Sequence, residues 1–113
     1  MMKAPVPFYK DYLDEHGNPA GGSVESVGID IQWQNGPLKI GERMLPPNGA
    51  FPETVLRIAK HRLEFYQTTK FACAENAATI LKLDQAIEEL TARFTRRDSE
   101  GVLGTHALDA TKG

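Results

Sequence analysis

Between Asn76 and Phe94 the pattern of polar and apolar residues leaves the chain little freedom. Asn76, Ile80, Leu83, Ile87, Leu90 and Phe94 recur at spacings of 4, 3, 4, 3 and 4. Such alternation keeps one narrow stripe on one side of an α-helix, the width of a coiled-coil seam. It predicts a long helix over about 72–99. Upstream, Pro52 and Glu53 suit a first helical turn. Val55, Ile58, Ala59, Arg62, Leu63 and Tyr66 follow at helical spacing and predict a shorter helix over about 52–67. The connection around Gln67 to Lys70 is short, as between antiparallel neighbours. The shorter helix has about four turns and the longer nearly eight, so roughly half of the seam lacks a helical partner in its own chain. A second copy of the long helix is the economical cover, and a homodimer is expected.

The N-terminal half reads differently. Pro5, Pro7, Pro19 and "HGNPAGG" punctuate residues 1–22, which read as an irregular arm packed by Phe8, Tyr9, Tyr12 and Leu13. In "SVESVGIDIQW", Val27, Ile29, Ile31 and Trp33 alternate with polar or small residues, the period of a half-buried strand. Asn35-Gly36 is a strong hairpin signal. "LKIGERML" reads as the return strand, with Leu38 and Ile40 on one face. "PPNGAFPE" reads as a linker. The expected fold is α+β in one domain of 113 residues: a β-hairpin region over 23–45, a helical hairpin over 52–99, and a tail over 100–113.

Composition excludes several classes. The hydrophobic share is 41% and the charged share 25%, as in an ordinary globule. No apolar run approaches the roughly 20 residues of a membrane span, and "MMKAPVPFYK" has no apolar leader. Cys73 is the single cysteine, so no intrachain disulfide can form, and a cytoplasmic protein is expected. The net charge of −2 argues against a polymeric nucleic acid as partner. One small phosphorylated molecule needs only two or three well-placed cations.

No nucleotide-binding glycine loop, no H-E-x-x-H and no zinc-type Cys/His spacing is present, so neither a cofactor nor a metal is expected. His16, His61 and His106 are far apart in sequence and read as surface histidines. Cys73 is either a small buried residue at the helical bend or a thiol activated by a helix N-terminus. Arg93, Arg96 and Arg97 close the long helix. They either complement its macrodipole or, with Arg93 and Arg97 four apart on one face, form a fork for phosphate oxygens; Glu89 can instead pair with Arg93. Asn76 stands where the seam calls for an apolar residue, and either sets register or recognises a ligand. Tyr66 ends the short helix close to Asn76. It is either core or an aromatic plate beside an amide, an arrangement suited to a nucleobase. Asn76 and Arg93 are 17 residues apart, about 25 Å along one helix. In an antiparallel dimer, however, the start of one long helix lies near the end of the other.

These residues resemble a known family. "HRLEFYQTTKFACAENAATILKLDQAIEEL", the arginines that follow it and "GVLGTH" are similar to phage proteins of the Thoeris anti-defence sponge family, first type. "FACAEN" and "GTH" are the most specific pieces, and "GIDIQWQNGPLKIG" resembles the family's strand region. The resemblance covers about residues 23–106. It implies a non-enzymatic protein in the cytoplasm of an infected bacterial host. Such a protein binds and holds glycocyclic ADP-ribose, a cyclic ADP-ribose isomer made by a bacterial TIR enzyme, without cleaving it. It also implies a dimer, or in some members a trimer of dimers that also holds the cyclic oligonucleotides of CBASS defence. Tyr66, Asn76, Arg93 and Arg97 match the ligand-contacting positions, and Arg43 matches more loosely. Three residues depart from the pattern: Tyr66 for an expected Phe, Phe94 for Thr and Leu103 for Glu. The rival reading is a small helical dimeric interaction module or phage regulator with no nucleotide ligand.

Overall fold

The computed structural model describes residues 4–99. Their architecture is α+β, a small antiparallel sheet followed by two helices of which the second is long. They form two compact units that meet in sequence between Ala50 and Phe51.

In the first unit, β1 (Phe8–Leu13), β2 (Pro19–Ser26) and β3 (Ile29–Gln32) make a three-stranded antiparallel sheet in that order. The expected irregular arm is thus, from Phe8 onward, an edge strand and a turn. All six β1 residues are exposed, so no alternation marks the strand; Phe8, Tyr9 and Tyr12 supply its β preference. The turn behind it is closed by Asp14, whose Oδ1 accepts the N–H groups of His16 and Asn18 at 2.8 and 2.9 Å. Ser23 and Val24 are the buried centre of β2.

The next reversal also differs from expectation. It falls at Val27–Gly28, where Ser26 pairs with Ile29. Gly28 has φ +78°, which a two-residue reversal needs and a side chain resists. The alternating stretch therefore spans a turn and a strand, and Val27 is exposed at the tip.

Asn35-Gly36 instead opens an excursion that returns at Asn48–Ala50. Ala50 forms a parallel bridge with Trp33, its N–H donating to the Gln32 carbonyl at 2.7 Å. Side chains staple the return. Asn48 Oδ1 accepts from Asn35 N–H at 2.8 Å, and Gln34 Oε1 accepts from the N–H groups of Asn48 and Gly49 at 2.8 and 3.2 Å. Within the excursion, β4 (Lys39–Ile40) and β5 (Arg43–Met44) pair as a minimal hairpin. Leu38, just before β4, is buried, whereas Ile40 within it is exposed.

The second unit is a helical hairpin. α1 (Pro52–Tyr66) begins with Pro52 at its first turn and carries Glu53 there. α2 (Ala74–Ser99) packs against it. Lys60 Nζ lies 2.5 Å from Asp84 Oδ1, and Phe51 meets Phe94 edge-on with ring centroids 6.4 Å apart. These two pairs fix an antiparallel register. α2 has 26 residues against 15 in α1, and the excess of 11 is divided between its two ends. The seam is therefore accompanied as far as Phe94, and roughly half of it is not left bare as the helix lengths alone suggested.

Ile87 is buried at the middle of the seam, while Ile80, Leu83 and Leu90 are half-buried. Full burial of one such side chain contributes about 1.5–3 kcal/mol. The inward stripe of α1 matches expectation in part. Val55, Leu63 and Tyr66 are partly covered as expected, Leu56 and Lys60 join them, and Ile58, Ala59 and Arg62 are exposed. Lys60 enters the stripe because Asp84 meets its ammonium and its aliphatic stem can lie along the apolar face. Gly101, Leu103, His106 and the expected tail lie outside the described residues.

Candidate functional site

The turn between α1 and α2 brings the expected base-recognition residues to one end of the hairpin. Gln67 follows Tyr66 directly and reaches across the turn to Cys73. Its Oε1 accepts the Cys73 N–H at 2.9 Å and its Nε2 donates to the Cys73 carbonyl at 3.1 Å. The last carbonyls of α1 are met by hydroxyls, with Thr68 Oγ1 donating to Phe65 O and Thr69 Oγ1 to Tyr66 O. At the other side of the turn, the Asn76 N–H donates to Cys73 Sγ at 3.4 Å, so the thiol serves as a weak helix cap. Cys73 is exposed, which removes the reading of it as a buried bend residue.

Asn76 is half-buried in the first turn of α2. Its Nδ2 donates to the Phe71 carbonyl at 3.3 Å. That bond holds the amide in place, and among the described residues its Oδ1 has no donor. Tyr66 is half-buried, its ring tilted 51° to Phe65 at 6.1 Å. Arg62 lies over both rings, its guanidinium carbon 4.9 Å from the Phe65 centroid and 5.1 Å from that of Tyr66. Lys70 Nζ sits 5.4 Å over Phe71. The hairpin turn is thus an aromatic surface carrying two cations and one positioned amide.

The arginine cluster lies at the opposite end of α2. Arg93 is exposed, Arg96 half-buried and Arg97 buried to 5% exposure, and all three are engaged with neighbours. The two arms of the expected fork therefore differ in their surroundings, although their spacing of four keeps them on one face. One chain does not bring Asn76 and Arg93 together, since about 25 Å of helix axis separates them. Arg43 lies in the first unit, exposed in β5 and paired through its backbone with Ile40. Phe94 packs edge-on against Phe51, which gives its ring a packing role.

An open groove of about 480 Å³ runs along the helix pair, lined by Arg57, Asp84, Ile87, Glu88, Thr91 and Ala92. It holds none of the expected site residues. Among the described residues no cluster of three or more His, Cys, Asp or Glu could hold a metal ion, and no helix is long and apolar enough to cross a membrane.

Sequence reasoning missed Gln67 and Arg62. In the sequence Gln67 is part of the short connection, and nothing local announces its bidentate reach. Arg62 had a signal: it stands three and four residues before Phe65 and Tyr66, the spacing at which helical side chains meet.

No family model matches the chain. It is similar to the protein named Thoeris anti-defense 1 of Bacillus phage SBSphiJ7, with 39% identity over 59 residues. The match spans 52% of this chain and 42% of that protein, less than half of the relative's length.

Proposed function

We propose that this relative of the Thoeris anti-defence family is a signal sponge, which binds and sequesters a cyclic ADP-ribose isomer, glycocyclic ADP-ribose, without cleaving it. The observation that carries the reading is the clamped turn. Gln67 ties the end of α1 to the start of α2, so the Tyr66 ring and the Asn76 amide are held at one end of the hairpin. Tyr66 stacks on the adenine, and Asn76 donates to or accepts from the base or a ribose. Arg93 and Arg97 of a second copy, arranged antiparallel, bring charge to the pyrophosphate. Sequestration requires slow release rather than turnover, and stacking with charge-assisted hydrogen bonds meets that need. Nanomolar affinity corresponds to about −12 kcal/mol. The protein acts in the cytoplasm of the infected bacterium, as a homodimer or a trimer of dimers.

Calorimetry with glycocyclic ADP-ribose tests this, followed by heat denaturation and chromatography of the released molecule. Tight binding with recovery of intact ligand is expected. Recovery of a cleaved product would make the protein an enzyme. Cyclic di- and trinucleotides of the CBASS type belong in the same panel. No binding to any of these molecules would leave the interaction-module reading in its place.

A further inference from the structure

Arg62 takes no part in the ion pair between the helices, and it lies on the exposed side of α1. Lys60 is bound to Asp84, and Arg57 borders the groove that contains Asp84 and Glu88. The contacts of the Arg62 guanidinium are instead two aromatic rings, at 4.9 and 5.1 Å, and among the described residues it has no carboxylate or carbonyl partner. The residue is exposed. Five donors in a fixed fork then remain for an anion, in a geometry that fits two oxygens of one phosphate.

We infer that Arg62 is a ligand-contacting residue of the hairpin-turn site, gripping a phosphate group while it lies on the ring of Tyr66. This rests on the sponge reading above and extends it. Tyr66 has two ring faces, and the guanidinium takes one of them. A base stacked on Tyr66 therefore uses the other face or stacks on the guanidinium plane itself, and in both arrangements Arg62 borders the ligand. The placement changes the charge plan of the site. The end of the hairpin that holds Tyr66 and Asn76 has its own cation, within one chain, and does not depend on the distant arginines for all of its positive charge. A pyrophosphate has two phosphates, and Arg62 of one copy and Arg93 of the other can each take one.

The test is calorimetric titration of the full chain with glycocyclic ADP-ribose, comparing wild type, R62A, R62K and N76A. R62A is expected to weaken binding roughly 10- to 100-fold, as loss of a hydrogen-bonded charge pair does, with little change in the thermal midpoint because the side chain is exposed. R62K is expected to fall between, since an ammonium keeps charge but cannot lie flat and hold two oxygens. If R62A loses its fold, R62K decides: weakened binding supports the inference and wild-type affinity overturns it. Wild-type affinity in a folded R62A, while N76A weakens binding, overturns the role of Arg62 and leaves the sponge reading standing. Failure of the wild-type chain to bind removes both.

Discussion

Gln67→Ala removes the clamp of the hairpin turn in one step. The side chain makes two hydrogen bonds to a single residue, 2.9 Å from the Cys73 N–H and 3.1 Å to the Cys73 carbonyl. A neutral intramolecular hydrogen bond nets about 0.5–1.5 kcal/mol. Both bonds lie at the surface, where water can take over the freed peptide groups, so each falls at the low end and the pair contributes about 1–2 kcal/mol. In a domain of this size that lowers the thermal midpoint by roughly 4–10 °C. Thermal unfolding followed by far-UV circular dichroism reads it directly. Because Tyr66 and Asn76 flank the clamped residues, ligand affinity should also fall when measured well below the midpoint. An unchanged midpoint would show that the two bonds contribute nothing net. A lowered midpoint with wild-type affinity would show a structural clamp with no positioning role.

Gly49→Ala should destabilise the first unit by about 1–3 kcal/mol. Its Cβ would lie 2.5 Å from the carbonyl carbon and oxygen of Trp33, backbone atoms that cannot step aside. Trp33 is the only tryptophan of the chain, so urea unfolding followed by its fluorescence reports the loss. The Lys60–Asp84 pair predicts a pH dependence. The hydrogen bond that Lys60 donates to Asp84 raises the Lys60 pKa above its ordinary value of 10.5. A pKa raised on folding gives stability that is fully present below the unfolded value and disappears as the pH rises through the folded one. K60M should therefore differ from wild type in thermal midpoint at neutral pH, and the difference should shrink above the lysine range. A difference that persists at high pH would assign it to packing rather than to charge.

The helices were readable from sequence because long periodic stretches report their own buried face. The spacing from Asn76 to Phe94 sets α2, and Pro52 sets the start of α1. What the periodicity could not convey was rotation and register. Lys60 enters the interface of α1 only because Asp84 stands opposite it, and that pairing is a fact about two helices, not one. The strands were harder for a related reason. β1 is exposed throughout and shows no alternation, and its strand character comes from pairing with β2. Asn35-Gly36 looked like a hairpin because those residues suit one, yet Asn35 is drawn into the network around Asn48 and the reversal falls at Val27–Gly28. For the proposed site, Asn76 stands out in sequence as a polar residue on an apolar seam, whereas Tyr66 fits its helical stripe and draws notice only by its closeness to Asn76. The clamp by Gln67 was not legible, because it joins residues six apart across an irregular turn.

The separation of Asn76 from Arg93 turns the proposed assembly into an experiment on mixed subunits. If a pocket takes Asn76 from one copy and Arg93 from the other, N76A and R93A each damage both pockets of a homodimer. A mixed dimer is different. Its N76A chain still has Arg93 and its R93A chain still has Asn76, so one pocket is fully wild type and the other carries both defects. Equal amounts of the two variants, unfolded together and refolded, give about half mixed dimers and hence about one quarter intact pockets. Titration should then show a tight phase with a stoichiometry near one quarter of wild type, which neither variant shows alone. If each pocket is built within one chain, mixing restores nothing, because every chain carries its own defect. Absence of the tight phase from a preparation shown to contain mixed dimers would sink the shared pocket. The 25 Å along α2 would then have to be bridged by something other than a second copy.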